Sequence, residues 1–139
     1  MSTFKPLSDS VFASPQLASS DLEEAKAQGV TLVVNNRPDG ESEGQPAGAE
    51  IEAAAKTLGL DYVAIPISGG FDAAQVDAMR EALAGTDGKA LAFCRSGTRS
   101  AHLWGLAEAR GGTPLDAIKA AGAQAGYDLS RLDALYAQL

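Results

Sequence analysis

Short apolar runs alternate along this chain with longer segments in which apolar residues recur at helical spacing. The runs at 30–36, 61–67 and 89–93 are apolar for most of their length, which predicts strands covered on both faces of a sheet. Pro66 lies near the end of the second run, where a missing ladder donor is tolerated. Residues 4–14 have room for one or two further short strands.

The segments between these runs carry the signals of helices. Residues 72–84, for example, place Val76, Met79 and Leu83 on one helical face. We expect helices over 19–28, 47–58, 72–84, 98–110, 113–124 and 128–138. The expected caps are Ser19 or Ser20, Asp72, Thr113 with Pro114 in the first turn, and Asp128 or Ser130.

The order of these elements predicts the fold class. Strands that alternate with helices pair in parallel through right-handed crossovers. We therefore expect an α/β fold with a mainly parallel central sheet flanked by helices, formed by residues 1–139 as one domain. Ligand sites of such sheets lie beyond the carboxyl ends of the strands. The loops that converge there are 36–46, 67–72 and 94–99.

Charge and hydropathy narrow the classes of function. Lys plus Arg number 11 against 18 Asp plus Glu, so the net charge is −7. This balance argues against binding to nucleic acid or to an anionic membrane. No apolar run approaches the ~20 residues of a membrane span. The first ten residues lack the charged and apolar regions of a signal peptide, so we expect a cytoplasmic protein.

Two residue types that often carry chemistry occur once each, as Cys94 and His102. A single cysteine excludes an internal disulfide and a cysteine-cluster metal site, and a single histidine excludes a multi-histidine zinc site. We therefore expect neither a metal nor a cofactor. His102 lies one turn into a predicted helix, which favours packing over a role as a base, and Trp104 has the spacing of a core residue.

The segment with the most chemical content, Cys94-Arg95-Ser96-Gly97-Thr98-Arg99, joins a predicted strand to a predicted helix; we call it the cysteine loop. A turn there can aim successive backbone N–H groups at one point, and the helix N-terminus adds partial positive charge. Gly97 permits a backbone conformation forbidden to larger residues, and the Arg99 guanidinium is a planar fork of donors suited to a tetrahedral anion. This field favours the nucleophilic thiolate form of Cys94.

The remaining residues of the cysteine loop are expected to support an anion. Ser96 and Thr98 contribute mainly through their backbone N–H groups. Arg95 is expected to point outward, where contact with substrate and a simple solvated charge are both open. Ser100, just beyond the loop, has two candidate roles: a hydrogen bond to the sulfur or a cap on the helix.

Loop 36–46 brings further charged groups to the same edge of the sheet. Arg37 has two open interpretations, binding of an anionic substrate or pairing with Glu41. Asp39 precedes a glycine, so it is either a turn residue or a carboxyl group available for acid catalysis.

The spacing within the cysteine loop resembles the active-site loops of two enzyme classes. Cysteine phosphatases have five residues between the cysteine and the arginine, whereas four separate Cys94 from Arg99. The shorter spacing is closer to that of rhodanese sulfurtransferases. The residue before the cysteine is Phe93, where the phosphatases usually carry histidine. The loop alone therefore leaves phosphoryl transfer and sulfur transfer both open.

Three segments extend the resemblance to a family. VTLVVNNRPDGE at 30–41, DYVAIPISGG at 61–70 and FCRSGTRSAHLW at 93–104 together resemble the bacterial phosphatase-like domain of β-lactamase hydrolase-like proteins. The resemblance covers about residues 4–110 and implies a fold like that of dual-specificity phosphatases. Members of the family have been labelled both phosphatases and sulfurtransferases.

The resembling phosphatases also place an aspartic acid, the general acid, on the loop after the preceding strand. Here Ser68 or Gly69 occupies the nearest position. Asp72 and Asp39 lie at the correct edge of the sheet and are the candidate acids, with a helix cap as the alternative role of Asp72.

Three functions follow as hypotheses. The first is a cysteine-dependent phosphatase for phosphotyrosine or aryl phosphate esters, with Cys94 as nucleophile and a phosphorylated protein or a small anion as substrate. The second is a sulfurtransferase that carries a persulfide on the same sulfur. The third is a non-catalytic module that binds anions at the cysteine loop.

Overall fold

A central five-stranded sheet organises the protein, which a computed structural model describes from residue 3 to residue 139. Residues 1 and 2 of the expected domain lie outside the described residues. The strands are β1 (Lys5–Pro6), β2 (Val11–Ser14), β3 (Val30–Asn35), β4 (Asp61–Ala64) and β5 (Lys89–Phe93). Their order across the sheet is β1-β2-β5-β3-β4. Only the pairing of β1 with β2 is antiparallel, which confirms the mainly parallel sheet.

Helices cover both faces of the sheet, as the alternating pattern predicts. They are α1 (Asp21–Ala27), α2 (Gly48–Thr57), α3 (Ala73–Ala84), α4 (Thr98–Arg110), α5 (Leu115–Ala125) and α6 (Leu132–Ala137). One apolar cluster joins the sheet to α1 and α2, and a second joins it to α3, α4, α5 and α6. Within residues 3–139, no helix combines the length and the apolarity needed to cross a membrane.

The central strand β5 shows why both faces need a cover. Ala90 and Ala92 belong to the cluster beneath α4, whereas Leu91 and Phe93 belong to the cluster beneath α1 and α2. Successive side chains of a strand point to opposite faces, so a continuously apolar run requires packing on both.

Helix α4 is the most deeply buried helix, with nine buried residues between Ser100 and Ala109. Its Gly105 lets α5 and α6 approach closely. A Cβ at this glycine would lie 3.1 Å from side-chain carbons of Ile118 and Leu132. The helix that begins at the cysteine loop is therefore held on one side by the sheet and on the other by the last two helices.

One predicted helix start is confirmed in detail. Asp72 caps α3 by accepting a hydrogen bond from the backbone N–H of Gln75 at 2.8 Å, and the Gln75 side chain accepts one from the Asp72 N–H at 2.9 Å. Ser20 occupies the N-cap position of α1, but its side chain makes no capping hydrogen bond.

Two other predicted caps are wrong. The Thr113 hydroxyl donates to the Glu108 carboxylate at 3.2 Å, and α5 starts two residues later without a side-chain cap. Asp128 accepts from the Ser130 N–H at 2.9 Å, which closes a local turn, and α6 begins only at Leu132. At both positions the polar side chain hydrogen-bonds to a group outside the helix, so it does not cap the first turn.

Candidate active site

The cysteine loop connects the carboxyl end of β5 to the first residue of α4, as predicted. Cys94 is 1% exposed, and its Sγ accepts a hydrogen bond from the backbone N–H of Gly97, with an N···S distance of 3.1 Å. This bond aims a backbone dipole and the start of α4 at the sulfur.

Backbone hydrogen bonds attach the cysteine loop to the end of β2. The Cys94 N–H donates to the carbonyl of Ser14 at 3.4 Å, and the carbonyl of Arg95 accepts from the Gln16 N–H at 3.2 Å. The loop is thus fixed to the sheet before and after the nucleophile candidate.

Gly97 is required at its position for two reasons. Its φ of +97° lies in the left-handed region, where side chains other than glycine's are strained. A Cβ there would also overlap the hydroxyl of Tyr127 and lie 2.9 Å from the Cζ of the same ring. The glycine therefore allows both the turn of the loop and the close approach of a tyrosine.

Arg99 points back over the edge of the sheet rather than into solvent. Its Nη1 and Nη2 donate to the two carboxylate oxygens of Glu41, at 2.8 and 2.9 Å. Nη1 also donates to the carbonyl oxygen of Ile67 at 2.8 Å. Loops 36–46 and 67–72 thus meet the cysteine loop at this guanidinium, as their position after parallel strands predicts.

The charged groups Glu41, Arg99 and Arg37 shift one another's pKa or are held by one another's charge. Hydrogen bonding from Arg99, with a smaller part from Arg37, lowers the pKa of Glu41 from 4.5 to about 2, although burial acts in the opposite direction. Hydrogen bonding to Glu41 in turn raises the pKa of Arg99, and the charge of Cys94 adds to this effect. The sulfur, the guanidinium and the carboxylate therefore share one site.

Arg37 forms the base of this group. It is 6% exposed, and its Nε donates to Glu41 Oε1 at 3.0 Å. Its other nitrogens donate to Gln16 Oε1 at 3.0 Å and to Ser42 Oγ at 2.6 Å. The pairing with Glu41, one of the two interpretations from sequence, is confirmed, and all three guanidinium nitrogens contact protein groups.

The exposed residues of the cysteine loop are Arg95, Ser96 and Thr98. The outward position predicted for Arg95 is confirmed. The Ser96 hydroxyl donates to the Thr98 hydroxyl at 3.0 Å and accepts from the Thr98 N–H at 3.3 Å. The side chains of Ser96 and Thr98 thus stabilise the turn, and the Thr98 N–H, predicted from the sequence to bind an anion, is instead used within the loop.

Ser100 has neither of the roles expected from the sequence. Its hydroxyl donates to Oδ1 of the buried Asn36 at 2.8 Å, instead of bonding the sulfur or capping α4. Asn36 also donates through Nδ2 to the Ile65 carbonyl at 2.9 Å. The buried Asn36 side chain thus has partners for both its oxygen and its nitrogen. It joins the end of β3 to α4 and to the segment that follows β4.

Both candidate acids are used at helix starts. Asp72 caps α3, and Asp39 Oδ1 accepts from the backbone N–H of Gly48 at 2.8 Å, at the first residue of α2. Both residues are exposed. In the described part of the chain, neither carboxylate hydrogen-bonds to the cysteine loop.

His102 is packed rather than poised over the sulfur, as predicted. It is 5% exposed, its Nδ1 lies 2.8 Å from the Thr98 carbonyl oxygen, and its ring stacks on Phe71 at 6.2 Å. Trp104 is 3% exposed within the core, which is also as predicted. Among residues 3–139, no cluster of His, Cys, Asp and Glu is arranged to hold a metal ion.

Sequence reasoning missed three residues that shape the site. Glu41 was recognised only as a possible partner of Arg37, since its contact with Arg99 spans 58 positions of the chain. Asn36 had a usable signal, because it is a polar residue at the end of a continuously apolar run. Tyr127 gave no signal in the sequence.

Comparison with known proteins places the chain in a family. Residues 3–111 match the family described as β-lactamase hydrolase-like protein, phosphatase-like domain. The chain belongs to this family. A β-lactamase hydrolase-like protein of Xylella fastidiosa is 38% identical over 106 residues, which are 75% of this chain but 25% of that protein. The chain therefore spans about a quarter of the length of this curated relative.

Solved structures confirm the phosphatase-like α/β fold of this family member. A candidate phosphatase from Neisseria meningitidis is similar with a TM-score of 0.85 and 30% identity, over 97% of each chain. A cysteine-to-serine variant of P. aeruginosa TpbA in complex with phosphotyrosine is similar with a TM-score of 0.66, over 97% of this chain and 81% of that one. At 15% identity, the second similarity concerns the fold alone.

Proposed function

We propose that this domain is a cysteine-dependent phosphatase that hydrolyses phosphotyrosine or other aryl phosphate monoesters through a phosphocysteine intermediate. The observation that carries this proposal is the N–H of Gly97 directed at Cys94 Sγ at 3.1 Å, in the same site as the Arg99 guanidinium. A nucleophile and an anion-binding group then act on one phosphoryl group.

The reaction proceeds in two displacements. The thiolate of Cys94 attacks phosphorus, a sulfur–phosphorus bond forms, and the ester oxygen leaves with the electron pair of its bond to phosphorus. Water then attacks the phosphocysteine, which returns the thiolate and releases inorganic phosphate. Backbone N–H groups of the cysteine loop and the fork of Arg99 stabilise the negative oxygens of both transition states.

The leaving oxygen requires a proton when it is a poor leaving group. Asp72 and Asp39 are the candidate acids in this proposal, and Asp72 is the better one because it lies on the loop that follows Ile67, the residue whose carbonyl binds Arg99. Both carboxylates already accept hydrogen bonds from backbone N–H groups at helix N-termini, so we expect either one to be an inefficient proton donor. Aryl esters, whose leaving groups need little protonation, are therefore the preferred substrates.

The proposed substrate class agrees by analogy with a ligand of one protein of the same fold. The cysteine-to-serine variant of TpbA, which has the same fold, was solved in complex with phosphotyrosine. A phosphorylated protein side chain or a small aryl phosphate presents the same tetrahedral anion to Arg99. The net charge of −7 favours such small targets over extended polyanions.

The direct test is hydrolysis of an aryl phosphate by the wild-type chain and by Cys94→Ser. We expect the variant to lose activity, and equal rates would refute the proposal. Because Cys94 is the sole cysteine, a thiol alkylating reagent modifies this position alone. Wild-type activity should fall in step with alkylation, and inorganic phosphate should slow both. Binding of phosphate without any turnover would instead support a non-catalytic anion-binding module.

A second candidate function, sulfur transfer, is favoured by two observations: four residues separate Cys94 from Arg99, and neither candidate acid, Asp39 or Asp72, hydrogen-bonds to the cysteine loop within the described residues. The thiolate would attack the outer sulfur of thiosulfate, and sulfite would leave with the electrons of the broken sulfur–sulfur bond. Cyanide or a thiol would then accept the outer sulfur. After exposure to thiosulfate, mass spectrometry should show one added sulfur on Cys94; an unmodified thiol would count against this function.

A further inference from the structure

The peptide unit between Ser96 and Gly97 is held from both of its sides. Its N–H, on Gly97, donates to Cys94 Sγ at 3.1 Å. Its carbonyl, on Ser96, accepts a hydrogen bond from the hydroxyl of Tyr127 at 3.4 Å. No other side chain among residues 3–139 donates to this carbonyl.

These two contacts are mechanically linked by the peptide bond. A trans peptide is planar, so its C=O and N–H point in opposite directions. A donor that fixes the carbonyl from outside the loop therefore fixes the direction of the N–H inside the loop. If the peptide plane turned over, the carbonyl oxygen would face the sulfur and repel a thiolate.

We propose that Tyr127 is a positioning residue that orients the Ser96–Gly97 peptide so that its N–H points at Cys94. This inference rests on the proposed use of Cys94 as a nucleophile. Tyr127 acts through the backbone of the cysteine loop and does not itself contact the substrate.

The setting of Tyr127 suits this task. It follows Gly126 in the connection from α5 to α6, and its N–H donates to the Gly122 carbonyl at 2.8 Å, which fixes the start of the connection. Burial, with a smaller contribution from the charge of Cys94, raises the pKa of Tyr127. The phenol therefore keeps its proton at neutral pH and remains a donor.

Tyr127 also lies outside the part of the chain that matches the family, which ends at residue 111. The segment that follows the matched region thus reaches back to the loop that carries the nucleophile. A cavity of about 400 Å³ opens beside the tyrosine and Ser96. Water can enter it and bond the Ser96 carbonyl if the hydroxyl is removed, so the loss of the hydroxyl should affect orientation more than global stability.

The test compares Tyr127→Phe with Tyr136→Phe. The Tyr136 hydroxyl also donates to a backbone carbonyl, that of Ala109 at 3.5 Å, but at the opposite end of α4. The first measurement is the rate at which iodoacetamide alkylates Cys94 as a function of pH. We expect the profile of Tyr127→Phe to move to higher pH, and that of Tyr136→Phe to coincide with wild type.

The second measurement is the hydrolysis of an aryl phosphate. Tyr127→Phe should lower kcat by about two- to tenfold, the range set by one net hydrogen bond, with KM nearly unchanged. If both variants keep the wild-type alkylation profile and kcat, the positioning role is refuted. If wild type and Cys94→Ser hydrolyse equally but the Tyr127→Phe profile still shifts, the phosphatase proposal fails and the positioning role stands.

Amide hydrogen exchange separates a local effect from a loss of folding. A positioning role predicts faster exchange of the Gly97 N–H in Tyr127→Phe, with little change at the core amide of Leu103. Equal acceleration at both amides would mean that the hydroxyl serves only general stability, which overturns the proposal.

Discussion

Arg99 and Glu41 form a two-pronged ion pair, with nitrogen–oxygen distances of 2.8 and 2.9 Å, that joins the first turn of α4 to the loop after β3. The pair fixes the plane of the guanidinium before any anion arrives. A donor that is already oriented loses less rotational entropy on binding than a free side chain does. Glu41 is in turn held by a hydrogen bond from Arg37. The orientation of Arg99 therefore depends on its own contacts with Glu41 and on the contact between Glu41 and Arg37.

The ion pair predicts a specific loss of stability in acid. The pKa of Glu41 is about 2 in the folded protein against 4.5 for the ordinary group. A lowered pKa stabilises the folded state above pH 4.5, and this contribution is lost as the pH falls through about 2. The free energy of unfolding should therefore decline more steeply from pH 5 to pH 2 in wild type than in Glu41→Gln.

Urea titrations at several pH values measure this difference. Glu52→Gln is the matched control, because Glu52 pairs with Lys56 on the exposed surface at 2.9 Å, where ion pairs contribute little. Its acid profile should follow that of wild type. Identical acid profiles for wild type and Glu41→Gln would contradict the coupling of Glu41 to Arg99.

The fork of Arg99 should matter more than its charge. Arg99→Lys keeps a positive charge but cannot donate two parallel hydrogen bonds to a phosphoryl group. We expect kcat/KM for an aryl phosphate to fall by about 10²- to 10³-fold, the range for loss of a donor to a transition-state oxyanion. Arg95→Lys is the control at an exposed neighbouring position. It should change kcat/KM by less than about threefold, because an exposed side chain that keeps its charge contributes little. If Arg99→Lys lost no more activity than Arg95→Lys, the charge at position 99 would suffice and the fork would not matter.

Two substitutions of Asp72 separate its cap from its proposed acid role. Asn is also a good N-cap, so Asp72→Asn should leave the free energy of unfolding almost unchanged, whereas Asp72→Ala should lower it by about 1 kcal/mol. If the carboxyl group supplies a proton, Asp72→Asn slows hydrolysis of an alkyl phosphate more than that of an aryl phosphate. Parallel rates for both esters would remove Asp72 from the reaction and leave it only as a cap.

Gly97 and Gly112 offer a matched pair for the cost of a side chain. Both have positive φ, +97° and +102°, but a Cβ at Gly112 would meet nothing within 4 Å, whereas one at Gly97 would overlap the Tyr127 hydroxyl. Gly112→Ala should cost about 1 kcal/mol of unfolding free energy, from backbone strain alone. Gly97→Ala should cost more and should abolish turnover. An equal loss of unfolding free energy in the two variants would mean that the Tyr127 side chain moves away from the added Cβ without a free-energy penalty.

Much of this structure follows from local patterns in the sequence. The apolar run at 89–93 and the glycine four positions beyond it predicted the strand, the turn and the helix that carry Cys94 and Arg99. Because parallel strands end at one edge, the meeting of the three loops could also be predicted. These features depend on spacing and on backbone preference, which a single sequence contains.

Contacts between distant segments could not be predicted in the same way. The choice of Glu41 rather than another nearby acid depends on how loop 36–46 folds back over α4, and no local pattern specifies that. The same holds for the Ser100 hydroxyl, which bonds Asn36 across 64 positions of the chain. Polar side chains have several possible partners, and only the packed structure selects among them.

The close packing at Gly105 sets a lower limit on the piece of chain that can be expressed and studied. A fragment cut after residue 111, where the family match ends, would leave the buried outer face of α4 open to water, without Ile118 and Leu132 to cover it. Such a fragment should precipitate or form a loosely packed globule, even though it retains every residue proposed to touch the substrate.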